Sequence, residues 1–94
     1  MPTDDSSLSD GARMVANRLR KNVRRLASWR RRTGVTCYRL YDADLPEYAA
    51  AIDVYETLPP DTRLLVHVQE YQAPRHIPEE TSARRFAEIL DAVR

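Results

Sequence analysis

Glycine is scarce: the 94 residues contain two, Gly11 and Gly34. No glycine-rich turn exists to bring backbone amides against a nucleotide or an adenosyl cofactor, so a doubly wound cofactor site is not expected in this stretch. Cysteine is scarcer still. Cys37 stands alone, which excludes an intrachain disulfide and any zinc site built on paired thiolates, and nothing argues for an oxidising compartment. Long apolar runs are missing as well, and Met1 to Asp10 is polar and acidic where a secretory signal is basic and then apolar. The expectation is a cytoplasmic chain with no membrane partner.

Acidic residues are missing from one long stretch. Between Gly11 and Tyr41 there are ten Lys or Arg (Arg13, Arg18, Arg20, Lys21, Arg24, Arg25, Arg30, Arg31, Arg32, Arg39) and no Asp or Glu, so a segment of +10 adjoins a remainder of −9. The net charge of +1 hides this segregation.

What is present fits one small domain. Met1 to Ser9 has almost nothing to bury and reads as a disordered lead-in, leaving 10–94 as a single subdomain. Ser9 or Asp10 can cap a helix running to about Thr33, which Gly34 stops. Val15, Leu19, Val23, Leu26 and Trp29 recur at helical spacing on one stripe, with Ala12 beside them, and predict the face turned to a core. Thr36–Tyr41 and Tyr48–Tyr55 read as a hairpin about the turn from Asp42 to Glu47, and Leu64–Glu70 as a third strand. Tyr48, Ala50, Ile52 and Val54 share one face, and Leu64, Val66 and Val68 repeat the pattern. Leu58 to Asp61 makes the connection, Gln72 to Pro78 is an extended connector, and Glu79–Val93 predicts a second helix with Ala83, Phe86, Ile89, Leu90 and Val93 on its apolar face. The fold class is α+β: a basic amphipathic helix, a three-stranded antiparallel sheet and a C-terminal helix.

The basic helix is the main functional signal. Cations at three- and four-residue spacing repel one another unless acids intervene, so an anionic surface is expected to compensate them. Phosphate backbone suits that role, because Arg and Lys contacts release condensed counterions and Arg grips phosphate in a bidentate way. The residues expected to meet RNA are Arg18, Arg20, Lys21, Arg24, Arg25 and Arg31. The same face would equally suit solvent or an acidic neighbouring domain. Trp29 falls on the apolar stripe, so no aromatic platform for single strands is indicated.

Elsewhere the chemistry is sparse. Asp42, Asp44 and Glu47 place three carboxylates around one turn, but without the spacing of a calcium loop, and turn acids ordinarily satisfy nearby amides. No metal site and no catalytic residue is expected. Cys37 has no His or Asp nearby in sequence to activate it, and His67 and His76 are isolated from one another.

Three runs carry a resemblance: Asn17-Arg18-Leu19-Arg20-Lys21-Asn22, then Cys37-Tyr38-Arg39-Leu40-Tyr41-Asp42-Ala43-Asp44-Leu45-Pro46-Glu47-Tyr48, and Val66-His67-Val68-Gln69-Glu70-Tyr71. Together they resemble the fused K/L-type 23S ribosomal RNA guanine methyltransferases of bacteria, from about Gly11 to Val93. The resemblance implies a segment opening the half that methylates guanine on ring nitrogen 7. It further implies an S-adenosylmethionine-dependent parent whose cofactor domain lies outside this segment, with ribosomal RNA and the adjoining methyltransferase domains as partners. On that reading Asp42, Asp44, Pro46, Glu47 and Tyr48 help frame the target base or the cofactor cleft, and the segment alone is inactive. The turn is then expected to matter more for the parent's activity than for folding. Two departures stand out: Glu56 to Arg63 is longer than the tight turn expected there, and Pro78 replaces an acid that caps the second helix. Two other roles fit the same residues, a structural spacer orienting two methyltransferase domains and a free-standing RNA-binding adaptor.

Overall fold

The computed structural model describes residues 7–57, 62–72 and 76–94. The connection from Leu58 to Asp61 and the centre of the Gln72–Pro78 connector fall outside these, as does most of the lead-in. Helix α1 spans Asp10–Thr33, β1 Cys37–Asp42, β2 Ala50–Glu56, β3 Leu64–Glu70 and α2 Glu79–Val93. The strands form one antiparallel sheet in the order β1-β2-β3. The α+β class and the element order are those expected from the sequence.

Local chemistry explains the helix ends. Ser9 caps α1, its Oγ accepting from the Ala12 amide at 3.1 Å, and so satisfies one of the unpaired donors of the first turn. Gly34 ends the helix at φ 68°, where its amide returns to the Arg30 carbonyl at 2.9 Å. Helix α2 starts at Pro78, which offers no side chain to cap it.

The core lies between the helices and one face of the sheet. Val15, Ala16 and Leu19 of α1 meet Leu40 and Tyr41 of β1, Ala50, Ile52 and Val54 of β2, and Ile89 and Ala92 of α2 in one buried cluster. The register slips between Arg39 and Tyr41, and this bulge turns two consecutive side chains, Leu40 and Tyr41, into the interior. Helix α1 packs chiefly on α2 and β1. Ala12, Ala16 and Ala92 retain no exposed surface, as small residues do where helix axes come close.

Three expectations are corrected. Ala83 of α2 is exposed while Ala92 is buried, because the covered stripe of that helix centres on Ile89 and its C-terminal end. Leu64 and Val66 share the inner face with Val68 but are 64% and 46% exposed, because the layer of helices does not extend over that end of β3. Helix α1 is likewise less covered towards its end. Its fully buried residues lie between Ala12 and Asn22, whereas Val23 and Leu26 are only partly buried against the core and the helix is exposed from Arg31 on. At about 1.5 Å per residue the helix is roughly 36 Å long, which accounts for most of the 44 Å long axis of the molecule.

Candidate nucleic-acid interface

With α1 held along its buried stripe, Arg18, Arg20, Lys21, Arg24, Arg25 and Arg31 are carried on the remaining circumference. Lys21, Arg24, Arg25, Arg31 and Arg32 are exposed. Among the described residues, Arg18, Lys21, Arg24, Arg25, Arg31 and Arg32 take part in no ion pair. Arg20 donates to Asn17 Oδ1 at 3.0 Å. The placement of Arg30, Arg31 and Arg32 in the last turn is favourable to the helix itself, since cations there complement the partial negative charge of the free carbonyls.

The other cations of the basic segment are engaged. Arg13 pairs with Asp10 at 3.3 Å. Arg30 turns to the inner side and lies over the Tyr38 ring, 4.6 Å from its centroid. Arg39, on the outer face of the sheet, donates from Nε to Asp53 Oδ1 at 2.8 Å and approaches Asp42 at 3.8 Å. That hydrogen bond holds the Asp53 carboxyl below its ordinary pKa and raises that of Arg39. The segregation visible in the sequence thus becomes a helical face on which Arg18, Lys21, Arg24, Arg25, Arg31 and Arg32 have no ion-pair partner among the described residues.

Trp29 does not sit where the periodicity suggests. It is 37% exposed and outside the core cluster. The reason is angular: at 3.6 residues per turn Trp29 lies about 80° round the helix from Leu19, where Leu26 is only about 20° away. This sets the indole one turn from Arg25, at the border of the cationic face.

The turn after β1 is tied down from within. Asn22, on the buried side of α1 at 2% exposure, donates from Nδ2 to the Leu40 carbonyl at 2.9 Å and to Asp44 Oδ2 at 2.8 Å. Asp44 Oδ1 accepts from the Asp42 amide at 3.1 Å. Tyr41 Oη donates to the Tyr48 carbonyl at 2.6 Å and accepts from the Leu45 amide at 3.2 Å, so one buried phenol bridges both sides of the turn. Burial raises the Tyr41 pKa. Ala43 sits at φ 50°, a left-handed conformation unusual for alanine and held by the surrounding bonds.

Of the five turn residues singled out by resemblance, Tyr48 points inward, and Asp44, itself exposed, accepts a hydrogen bond from the buried Asn22. Tyr48 is buried, and its Oη donates to Glu88 Oε1 at 3.3 Å; burial, first, and the neighbouring Glu88 raise its pKa. Asp42 accepts the hydroxyl of Tyr71, and this hydrogen bond raises the Tyr71 pKa. Pro46 and Glu47 are exposed. Pro46, Glu47 and Tyr48 border a pocket of about 50 Å³ that they share with Tyr71, Arg85 and Phe86. Among the described residues no group of three or more His, Cys, Asp or Glu is arranged to hold a metal ion.

Two positions escaped the sequence reading. Asn22 looks like one more polar residue of a basic helix, and only its angular position beside Val15 and Leu19 hints at burial. Gly11 is the second. A Cβ there would overlap Tyr48 Oη and the Glu88 carboxylate, which reach the start of α1 together, and Ser9 Oγ donates to Glu88 Oε2 at 2.6 Å. A glycine at an otherwise helical position was the available signal.

Comparison with known proteins now bears on these features. Over 91 residues, 94% of this chain, it is 54% identical to the ribosomal RNA large subunit methyltransferase K/L of Cellvibrio japonicus (strain Ueda107). The chain is homologous to one segment of that methyltransferase. It covers 12% of the relative's length. No family model matches the chain. At this identity the resemblance read from the Cys37–Tyr48 run extends to the whole described fold. No described helix is long and apolar enough to cross a membrane.

Proposed function

We propose that this chain is the RNA-gripping subdomain of a cytoplasmic, S-adenosylmethionine-dependent 23S rRNA guanine methyltransferase, with the cofactor bound by another part of the parent. The observation that carries the reading is the exposed face of α1, six of whose cations lack an acidic partner among the described residues. A phosphate backbone supplies spaced negative charge along such a face, and each contact liberates condensed counterions. Homology to a segment of an rRNA methyltransferase supports RNA as the source of that phosphate.

The turn from Asp42 to Tyr48 has a divided role in this proposal. Asn22, Tyr41 and Asp44 hold its shape, and the exposed Pro46 and Glu47 are the residues free to face a target base or an adjoining domain. No chemical step is assigned to this chain. The subdomain grips and orients, while methyl transfer belongs to the cofactor-binding part of the parent.

The test is binding of an rRNA fragment by fluorescence anisotropy. Lys21→Glu with Arg25→Glu should weaken binding at least tenfold while leaving the circular-dichroism spectrum unchanged, because both residues are exposed and Glu is a good helix former. Equal affinity of the double variant and the unaltered chain would point instead to a spacer whose cationic helix docks on an acidic neighbour.

A further inference from the structure

The two edges of the sheet are unlike. On the β1 edge the bulge at Leu40 breaks the ladder, and Arg39 stands paired with Asp53. Bulges and charges of this kind normally stop an edge from recruiting another strand. The β3 edge has neither. Leu64 to Gln69 contains no charged residue among Lys, Arg, Asp and Glu and no proline, and β3 pairs with β2 in continuous register along its whole length.

The unpaired backbone groups of that edge can be named. The Tyr71 amide donates to the Ala49 carbonyl at 2.9 Å, and by the alternation of an antiparallel ladder the backbone groups of Leu65, His67 and Gln69 also face β2. Those of Leu64, Val66, Val68 and Glu70 face away, and no fourth strand meets them among the described residues. Large apolar side chains flank this edge on both faces: Leu64 and Val66 on the inner side, and Leu65, 53% exposed, on the outer. Leu64 and Val66 also line an apolar groove of about 220 Å³ running under α1 to Val93. An edge this apolar and unguarded is a template for strand addition.

We propose that the β3 edge pairs antiparallel with the β3 edge of a second copy of this chain, joining two sheets into one of six strands. The strand is self-complementary about His67. In that register Val66 meets Val68 of the second copy and Leu64 meets the stem of Glu70, so all four outward-facing residues of each strand are paired through their backbones. Leu65 meets Gln69 on the outer face, His67 meets the His67 of the second copy at the two-fold axis, and no Lys, Arg, Asp or Glu faces a like charge. The inner-face aliphatic residues of the second strand extend the apolar floor beside the groove. The interaction is independent of the RNA-binding reading, since the cations of α1 take no part in it.

Leu65 and Gln69 give a selective test, because both are exposed on the outer face, away from the core, and oppose one another across the two-fold axis. Sedimentation equilibrium of the chain at roughly 0.5 mM, where even a millimolar association registers, should report about twice the 10.9 kDa chain mass as association saturates, and a measurable excess over it otherwise. Leu65→Lys with Gln69→Lys should abolish association with the circular-dichroism spectrum unchanged, as should Leu65→Glu with Gln69→Glu. An equimolar mixture of the two variants should regain it as a heterodimer visible in native mass spectrometry, a rescue that a damaged fold cannot produce. A single-chain mass for the unaltered protein overturns the proposal and leaves the edge to a strand of different sequence. Association of the Lys variant equal to that of the unaltered chain overturns it in favour of another surface, and failure of the mixture to associate overturns the register.

Discussion

Asn22 fixes where the carboxylate of Asp44 lies, through a hydrogen bond from the buried side of α1. Removing it exposes the cost of an unmet group, since the Leu40 carbonyl and Asp44 then lose a common donor inside the protein. Asn22→Ala should destabilise the fold by about 2–3 kcal/mol, read as a lowered urea midpoint. Asp44→Ala should cost stability for the same reason, whereas Glu47→Ala, at an exposed position, should change it by less than about 0.5 kcal/mol. The expectation that the whole turn serves activity more than folding is thereby divided between its residues. Gly11→Ala sets two effects against each other. Alanine gains about 1 kcal/mol in helix propensity, but its methyl displaces the Tyr48 hydroxyl and the Glu88 carboxylate. Overpacking commonly costs about 1–3 kcal/mol, and because Tyr48 is buried and cannot swing freely, thermal denaturation should show a net loss. The Arg39–Asp53 pair adds a pH dependence. Its hydrogen bond lowers the Asp53 pKa in the folded state, so its contribution is present above the unfolded-state carboxyl value and fades as pH falls through the folded one. Arg39→Met should diminish that acid-side dependence and leave stability at neutral pH less sensitive to salt.

Elements were read from the sequence more readily than their cover. Cap chemistry at Ser9 and Gly34, the apolar spacing of both helices and the alternation of three strands are local signals, and they placed α1, β3 and α2 within a residue of their bounds. Coverage is a tertiary property. Nothing local says that α1 is fully buried only as far as Asn22, that Trp29 is set off its stripe, or that helices do not reach the Leu64 end of β3. The bulge at Leu40 was equally hidden, because an extra residue in a strand shows only in its pairing. The cations of the candidate interface were legible as a group because charge segregation survives folding, while the internal bonding of the turn depended on Asn22, 22 residues from Asp44. A pair of substitutions checks the description of α1. Leu19→Ala, fully within the core, should cost about 2–5 kcal/mol, and Trp29→Ala, ten residues on, should cost far less in the same chemical-denaturation series.

Taken whole, the molecule is a small body with a cationic helix along one side and a remainder of opposite charge. That arrangement is what the proposed function interprets, and salt reports on it most directly. Affinity for an rRNA fragment measured across a salt series should fall linearly on logarithmic axes, and the slope counts the phosphates engaged, at about 0.7 units per contact for single strands and about 0.9 for duplex. The account predicts a slope of several units for the unaltered chain, and a slope reduced by roughly 0.7 to 0.9 for each of Lys21, Arg24 and Arg25 replaced by Gln. A slope near zero, or one that these three substitutions leave unchanged, would contradict the claim that α1 grips RNA.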